Sequence, residues 1–422
     1  MEILVVDALG AGKGGRIATV DAIGAGPRTV VGIFERHGVQ PRIATAPQVF
    51  ADSSLFDKAD LLLISAMSVD LPSARRLVSL WRKLGRHSPV LVGGPLASSP
   101  NDAITKVGAS VAVIGEAEKA LEELIGLGLT QGELPDGEEL RKIAGIAFSE
   151  KGHLRVNRLR PFMPRGEYDS LKPSTEAIVD YPLYFASRVY VEVLRGCSNY
   201  YRARVPLSSE KHCSGCNRCT EGRLEERYDC PVSIPPGCGY CSVPSLFGPP
   251  RSRSVENIVH ETSGLLERGV RRIVLSAPDF LDYGRDLLVE PAPLTDPRNP
   301  VPNYEAIETL LSKVAEISEV AEGASVMVEN VKPSVVDEKV AKILGGYLSG
   351  SSVNIGCETG SRRHSASLGR PSTPEECLRA VELLRRNGLK PYVYFIHGLP
   401  GQSAGTVEET VRIIDECVRS GA

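Results

Sequence analysis

Short unbroken apolar runs alternate with amphipathic stretches through most of the chain. Ile3-Leu4-Val5-Val6 is the first such run, the pattern of a strand buried on both faces. A helical stretch follows from about residue 28 to 37, then a strand at Arg42-Ile43-Ala44. Residues 60–65 form a third run, followed by a helix that puts Leu77, Leu80, Trp81 and Leu84 on one side. Runs at 90–92 and 111–114 complete the series. Buried strands separated by helices predict an α/β doubly wound parallel sheet over residues 1–130.

Residues 131–187 are less regular and read as a connector. Within it, Ala144–Phe148 and His153–Val156 frame Lys151-Gly152 as a hairpin. A second alternating series starts at residue 188. Strands are expected at 189–195, 271–276, 325–330, 353–357 and 391–397. Helices are expected at 254–268, 304–319, 335–345, 374–387 and 405–419. Five strand–helix units predict a partial (β/α) barrel over 188–422. Two segments interrupt it: a Cys-rich insertion at 198–236 and a Pro-rich stretch from Leu281 to Pro302. The latter reads equally as a substrate lid or a solvated loop.

A chain of 422 residues exceeds one ordinary core, so two or three domains are expected. Its net charge of −3 gives no long-range attraction to nucleic acid or anionic membranes. The apolar runs are too short to span a bilayer, and Met1-Glu2 leads into a strand with no basic leader. A soluble, cytoplasmic protein is expected. Ten cysteines are present and none precedes Cys197. One dense cysteine block in a long chain points to metal rather than to disulfides.

Cys197 follows the first barrel strand, and Cys238-Gly239-Tyr240-Cys241 lies beyond a 40-residue gap. Excising 199–235 leaves Cys-x3-Cys-x2-Cys. Three thiolates can hold three irons of a cube and leave the fourth open to a chelating ligand. A zinc knuckle at Cys238 and Cys241 is the plainer alternative. Within the insertion, Cys213-x2-Cys216-x2-Cys219 and the distant Cys230-Pro231 are similar to ferredoxin cluster loops. A second 4Fe–4S cluster is favoured there over zinc. Four thiolates would close either site. Cys377 and Cys417 lie in expected helices and Cys357 at a strand end; packing is the expected role of all three.

The text Arg195-Gly196-Cys197, Gly237-Cys238-Gly239-Tyr240-Cys241-Ser242, Phe247-Gly248-Pro249-Pro250-Arg251 and Ser254-Val255-Glu256 resembles the radical S-adenosylmethionine (SAM) superfamily, in its cobalamin-binding branch. The family keeps three residues between its first two cysteines, where this chain has 40. The resemblance implies a SAM cluster on Cys197, Cys238 and Cys241, with Tyr240 beside the adenine. Cys213, Cys216 and Cys219 are a weaker candidate for that set, because they follow no barrel strand. SAM would meet the ends of barrel strands: Ser276 and Asp279, then Glu358 and Ser361 at its methionine or ribose end, then the Gly398–Pro400 turn near the adenine. His397 reads as a proton donor or, slightly better, as a core histidine.

The front domain resembles cobalamin-binding Rossmann domains. In its first loop, Asp7-Ala8-Leu9-Gly10-Ala11-Gly12, Leu9 stands where the family carries a cobalt-ligating histidine. Ser65, Met67, Gly93 and Gly94 would surround the cofactor with Leu9 and Gly12. A flavodoxin-like domain binding a nucleotide, or nothing, is the alternative. The front domain has no cysteine, which sets the chain apart from the related methylthiotransferases.

The resemblance implies a radical SAM enzyme that methylates an unactivated carbon through a 5′-deoxyadenosyl radical and methylcobalamin. Its substrate would be a small molecule or another unidentified species, and its electron donor a ferredoxin or flavodoxin. Radical chemistry without methyl transfer is one alternative. A non-catalytic iron–sulfur or metal-binding protein is another.

Overall fold

The computed structural model describes residues 2–8, 21–205 and 212–422. They divide into two compact units. The first runs to Tyr190 and includes Ser263–Arg271; the second is Val191–Thr262 with Arg272–Ala422.

In the first unit, β1 (Ile3–Asp7) lies between β2 (Arg42–Thr45) and β3 (Leu61–Ser65). β4 (Val90–Gly93) and β5 (Val111–Val113) continue the parallel sheet beyond β3. The order β2-β1-β3-β4-β5 reverses at β1, so the sheet has a switch point between β1 and β3. Its Val, Leu and Ile side chains are almost wholly buried, as continuous apolar runs require. The expected hairpin is present: β6 (Ile146–Glu150) and β7 (His153–Val156) extend the same sheet antiparallel. Lys151 and Gly152 turn it with φ of 50° and 82°, the left-handed pair that suits a tight hairpin. A two-residue strand, Ala22–Ile23, pairs with Arg188–Val189, and Arg188 binds Asp21 at 2.8 Å. A strand that short leaves no periodic signal.

The helix Leu71–Lys83 carries the chain's only tryptophan. Trp81 is fully buried and meets Phe56 edge-on, with ring centroids 5.1 Å apart.

The second unit begins with the end of β8 (Arg188–Glu192), beside β9 (Arg272–Ser276). β10 (Ser325–Val328), continued by Asn330–Val331, β11 (Ser352–Glu358) and β12 (Lys390–Phe395) follow. The strands from β9 on pair parallel in chain order. This is the singly wound partial barrel that the pattern predicts. Its helices start on side-chain caps. Asp337, Thr373 and Ser403 each accept from an amide of the first turn, satisfying donors the helix cannot.

The Pro-rich stretch is not a fully solvated loop. Leu281, Tyr283, Leu294 and Thr295 are buried, and Arg285 is sealed in contact with Asp282. This stretch supports the insertion: Thr295 donates to the Leu224 carbonyl at 2.6 Å, and Arg227 meets Asp296 at 3.0 Å. The insertion itself is gathered on buried Arg202, which donates to the carbonyls of Ile234 (2.8 Å), Tyr228 (2.7 Å) and Tyr200 (3.2 Å).

Replacing Trp81 by Ala is expected to cost about 3–5 kcal/mol of the first unit's stability, the range for deleting a buried aromatic. Urea unfolding followed by far-ultraviolet circular dichroism measures this; a midpoint unchanged from the parent would contradict the packing.

Candidate active site

The chain leaves the barrel at Cys197 and returns 40 residues later. Leu194-Arg195 pairs antiparallel with Arg251-Ser252, and the Cys197 amide donates to the Gly248 carbonyl at 3.0 Å. Gly196, at φ 94°, permits this approach: a Cβ there would lie 2.2 Å from the Pro249 oxygen.

Asn199 then joins the two ends of the gap. Its amide N–H reaches Cys197 Sγ at 3.4 Å, and its Nδ2 reaches Cys238 Sγ at 3.3 Å and the Gly369 carbonyl at 3.0 Å. The Cys241 amide donates back to the Cys238 carbonyl at 2.9 Å. The three cysteines expected to act together are therefore drawn together despite their spacing. Burial pushes the Cys197 and Cys241 thiols up, with Lys332 working against this at Cys197. Such sulfurs hold their protons until a metal replaces them.

Behind Cys197 lies a buried ion network. Lys332 Nζ sits 2.8 Å from Asp279, 3.4 Å from Asp282 and 2.9 Å from Ser198 Oγ. Burial opposes the Lys332 charge, but the two carboxylates outweigh it and hold its pKa high. Asp282 accepts from the Ser198 amide and hydroxyl at 3.1 and 2.9 Å. Burial works against its charge too, yet Lys332, Arg285 and Ser198 keep its pKa low. Asp279, expected at a ligand, is engaged with Lys332 and with the Leu281 amide.

A second group forms on Arg370. It touches Tyr240 Oη, lies 3.4 Å from Glu358 and donates to the Gly356 carbonyl at 2.6 Å. Glu358 has φ 67° at an irregularity in β11, and burial raises its pKa against the pull of Arg370. Ser361 is buried and accepts from the His364 amide at 3.4 Å. His364 links Thr359 (3.1 Å) to the Pro400 carbonyl (2.9 Å), joining two strand ends. Gly398, at φ 86°, donates to Gln402. Ser276 donates to Glu329 at 2.6 Å. His397 is exposed, so it is no core histidine; His364 is the buried one.

In the first unit, Ser65 and Gly93 are register partners where β3 and β4 end. A Cβ on Gly93 would meet nothing within 4 Å, whereas one on Gly94, at φ 79°, would lie 2.7 Å from the Ala66 oxygen. Met67 is 43% exposed beside them. Backbone closes tightly at Gly94 and leaves open space at Gly93, a cradle at the carboxyl ends of β3 and β4 that suits a bulky ligand tail. Leu9 and Gly12 lie outside the described residues.

Two family models match the chain: the B12 binding domain over residues 21–125 and the radical SAM superfamily over residues 231–414. Uncharacterised protein MK0932 of Methanopyrus kandleri is 42% identical over all of this chain and 75% of its own length. Protein MJ1620 of Methanocaldococcus jannaschii is 42% identical over 98% of this chain and 76% of its own. The chain belongs to the B12-binding radical SAM enzymes. Among solved structures, the radical SAM methyltransferase TsrM of Kitasatospora setae, with cobalamin and a [4Fe–4S] cluster bound, superposes with a TM-score of 0.65. The match covers 99% of this chain and 73% of that one at 16% identity, and it shows a shared fold.

Membership in the B12-binding radical SAM enzymes implies a four-iron cluster, SAM and cobalamin. The grouped thiols of Cys197, Cys238 and Cys241 and the open end of β4 fit the first and last of these. Asn199, Lys332, Asp282, Arg370 and His364 were not legible as site residues, since each works through a partner distant in sequence. No helix among the described residues is long and apolar enough to cross a membrane.

Replacing Lys332 by Met would strand the buried Asp279 carboxylate, while Asp282 keeps Arg285, and is expected to cost about 3–5 kcal/mol. Thermal or denaturant unfolding of the second unit tests this, and a loss below about 1 kcal/mol, the scale of an exposed pair, would contradict a buried network.

Proposed function

We propose that this enzyme methylates an unactivated carbon of a small-molecule substrate. The observation that supports the reading best is the bridge from Asn199 to both Cys197 and Cys238, which assembles a three-thiolate set with no fourth protein ligand required. When bound, the cluster and SAM supply a carbon radical able to take hydrogen, and cobalamin supplies the methyl group.

Each side chain then has a task of positioning or exclusion. Cys197, Cys238 and Cys241 hold three irons and leave one open to SAM. Tyr240 packs beside the adenine, its hydroxyl fixed by Arg370. Glu358 and Ser361 meet the methionine or ribose end, with Ser276 at the neighbouring strand end. The Gly398–Pro400 turn brings backbone to the adenine, held by His364. Asp279 acts through Lys332, keeping a cation behind Cys197. In the first unit, Ser65, Met67, Gly93 and Gly94 line the cobalamin tail. Leu9 offers no nitrogen to cobalt. Electrons come from a ferredoxin- or flavodoxin-type donor.

Reconstituted protein given dithionite and methyl-labelled SAM should release 5′-deoxyadenosine, and Cys238→Ala should abolish this. Cleavage retained in the variant would overturn the ligand assignment. With a small-molecule cell fraction added, label should pass to a product carbon. Consumption of a compound without transfer of label would replace methylation by rearrangement, cyclisation or oxidation.

A further inference from the structure

The insertion holds a second cysteine set that the chemistry above does not use. Cys213, Cys216, Cys219 and Cys230 come from two separate stretches of chain, yet all four line one cleft, and all four are free thiols. Two of the sulfurs are already held by backbone. The Gly215 amide points at Cys213 Sγ at 3.5 Å, and the Arg218 amide reaches the Cys216 sulfur. In each case the donor lies two residues beyond the cysteine, the same relation that Asn199 has to Cys197. Left-handed backbone at Gly215 (φ 71°) and Asn217 (φ 54°) accompanies these two turns.

Charge points the same way. Arg202, Arg204 and Arg218 line the cleft, against the single carboxylate of Asp229. An excess of basic over acidic residues along the cleft suits a net-negative metal–thiolate centre. The frame is rigid where it matters, because Arg202 and Arg227 are buried and tie the insertion to its own carbonyls and to Asp296.

We propose that Cys213, Cys216, Cys219 and Cys230 bind a second four-iron cluster, closed by four thiolates. The spacing of three tightly set cysteines with a distant Cys-Pro matches iron–sulfur loops better than the paired knuckles of zinc. With no iron left open, this centre binds neither SAM nor substrate.

The test is anaerobic reconstitution of the full chain with iron and sulfide, followed by metal analysis and electron paramagnetic resonance after dithionite. About eight irons per chain are expected, about four for each cube. Adding SAM should change one reduced-cluster signal and leave the other unchanged. A Cys197→Ala/Cys238→Ala/Cys241→Ala variant should keep about four irons and only the SAM-insensitive signal. A Cys213→Ala/Cys216→Ala variant should lose that signal and keep the SAM-sensitive one. Zinc in place of the second iron set, or a single signal that SAM perturbs wholly, would overturn the proposal. Loss of the SAM-sensitive signal alone would count against the first site and leave the second standing.

Discussion

The second unit depends on closing a long excursion of the chain so that Cys197 comes back beside Cys238. The entropic penalty of a closed loop grows only slowly with its length, so a gap of 40 residues rather than three adds only about 2 kcal/mol, an amount that firm fixing of the ends can offset. They are fixed three times over: by the Leu194–Ser252 pairing, by the backbone approach that Gly196 allows to Pro249, and by the two-sulfur contact of Asn199. Once the ends are fixed, the residues between them are free to build a folded element of their own. Arg202 supplies its centre, and the Arg227–Asp296 pair supplies its attachment.

The floor of the site balances its charges internally. Asp279 and Asp282 face Lys332 and Arg285, two of each sign, all buried. A neutral network of this kind resists movement, because displacing one member leaves a buried charge unpaired. Ser198 extends it to the residue next to Cys197. The polar group of Arg370 with Tyr240 and Glu358 is slightly more accessible, with Glu358 14% exposed.

Much of this was written in local pattern. Both sheets follow from continuous apolar runs, and the hairpin from Lys151-Gly152 between strand-like stretches. What escaped was long-range pairing. Lys332 meets Ser198 across 134 positions and Arg370 meets Tyr240 across 130; no window of sequence contains both partners. The stretch from Leu281 to Pro302 read equally as a lid or a solvated loop, because nothing local shows that Arg285 and Asp282 neutralise each other inside. His397 and His364 differ in the same way. Only the latter sits where Thr359 and Pro400 can close on both ring nitrogens.

The ten cysteines also differ in their access to solvent. Cys197, Cys213, Cys216, Cys219, Cys230, Cys238 and Cys241 are all at least partly exposed, whereas Cys357, Cys377 and Cys417 are buried. Cys377 lies beside both of the other buried thiols, packed in the core of the second unit. Iron and sulfide arriving from water meet the exposed Cys216 and its partly exposed neighbours before the three. Burial therefore acts as a filter during cofactor assembly: it keeps thiols that could capture metal in the wrong place out of the competition, and shields them from oxidants that attack accessible sulfur first.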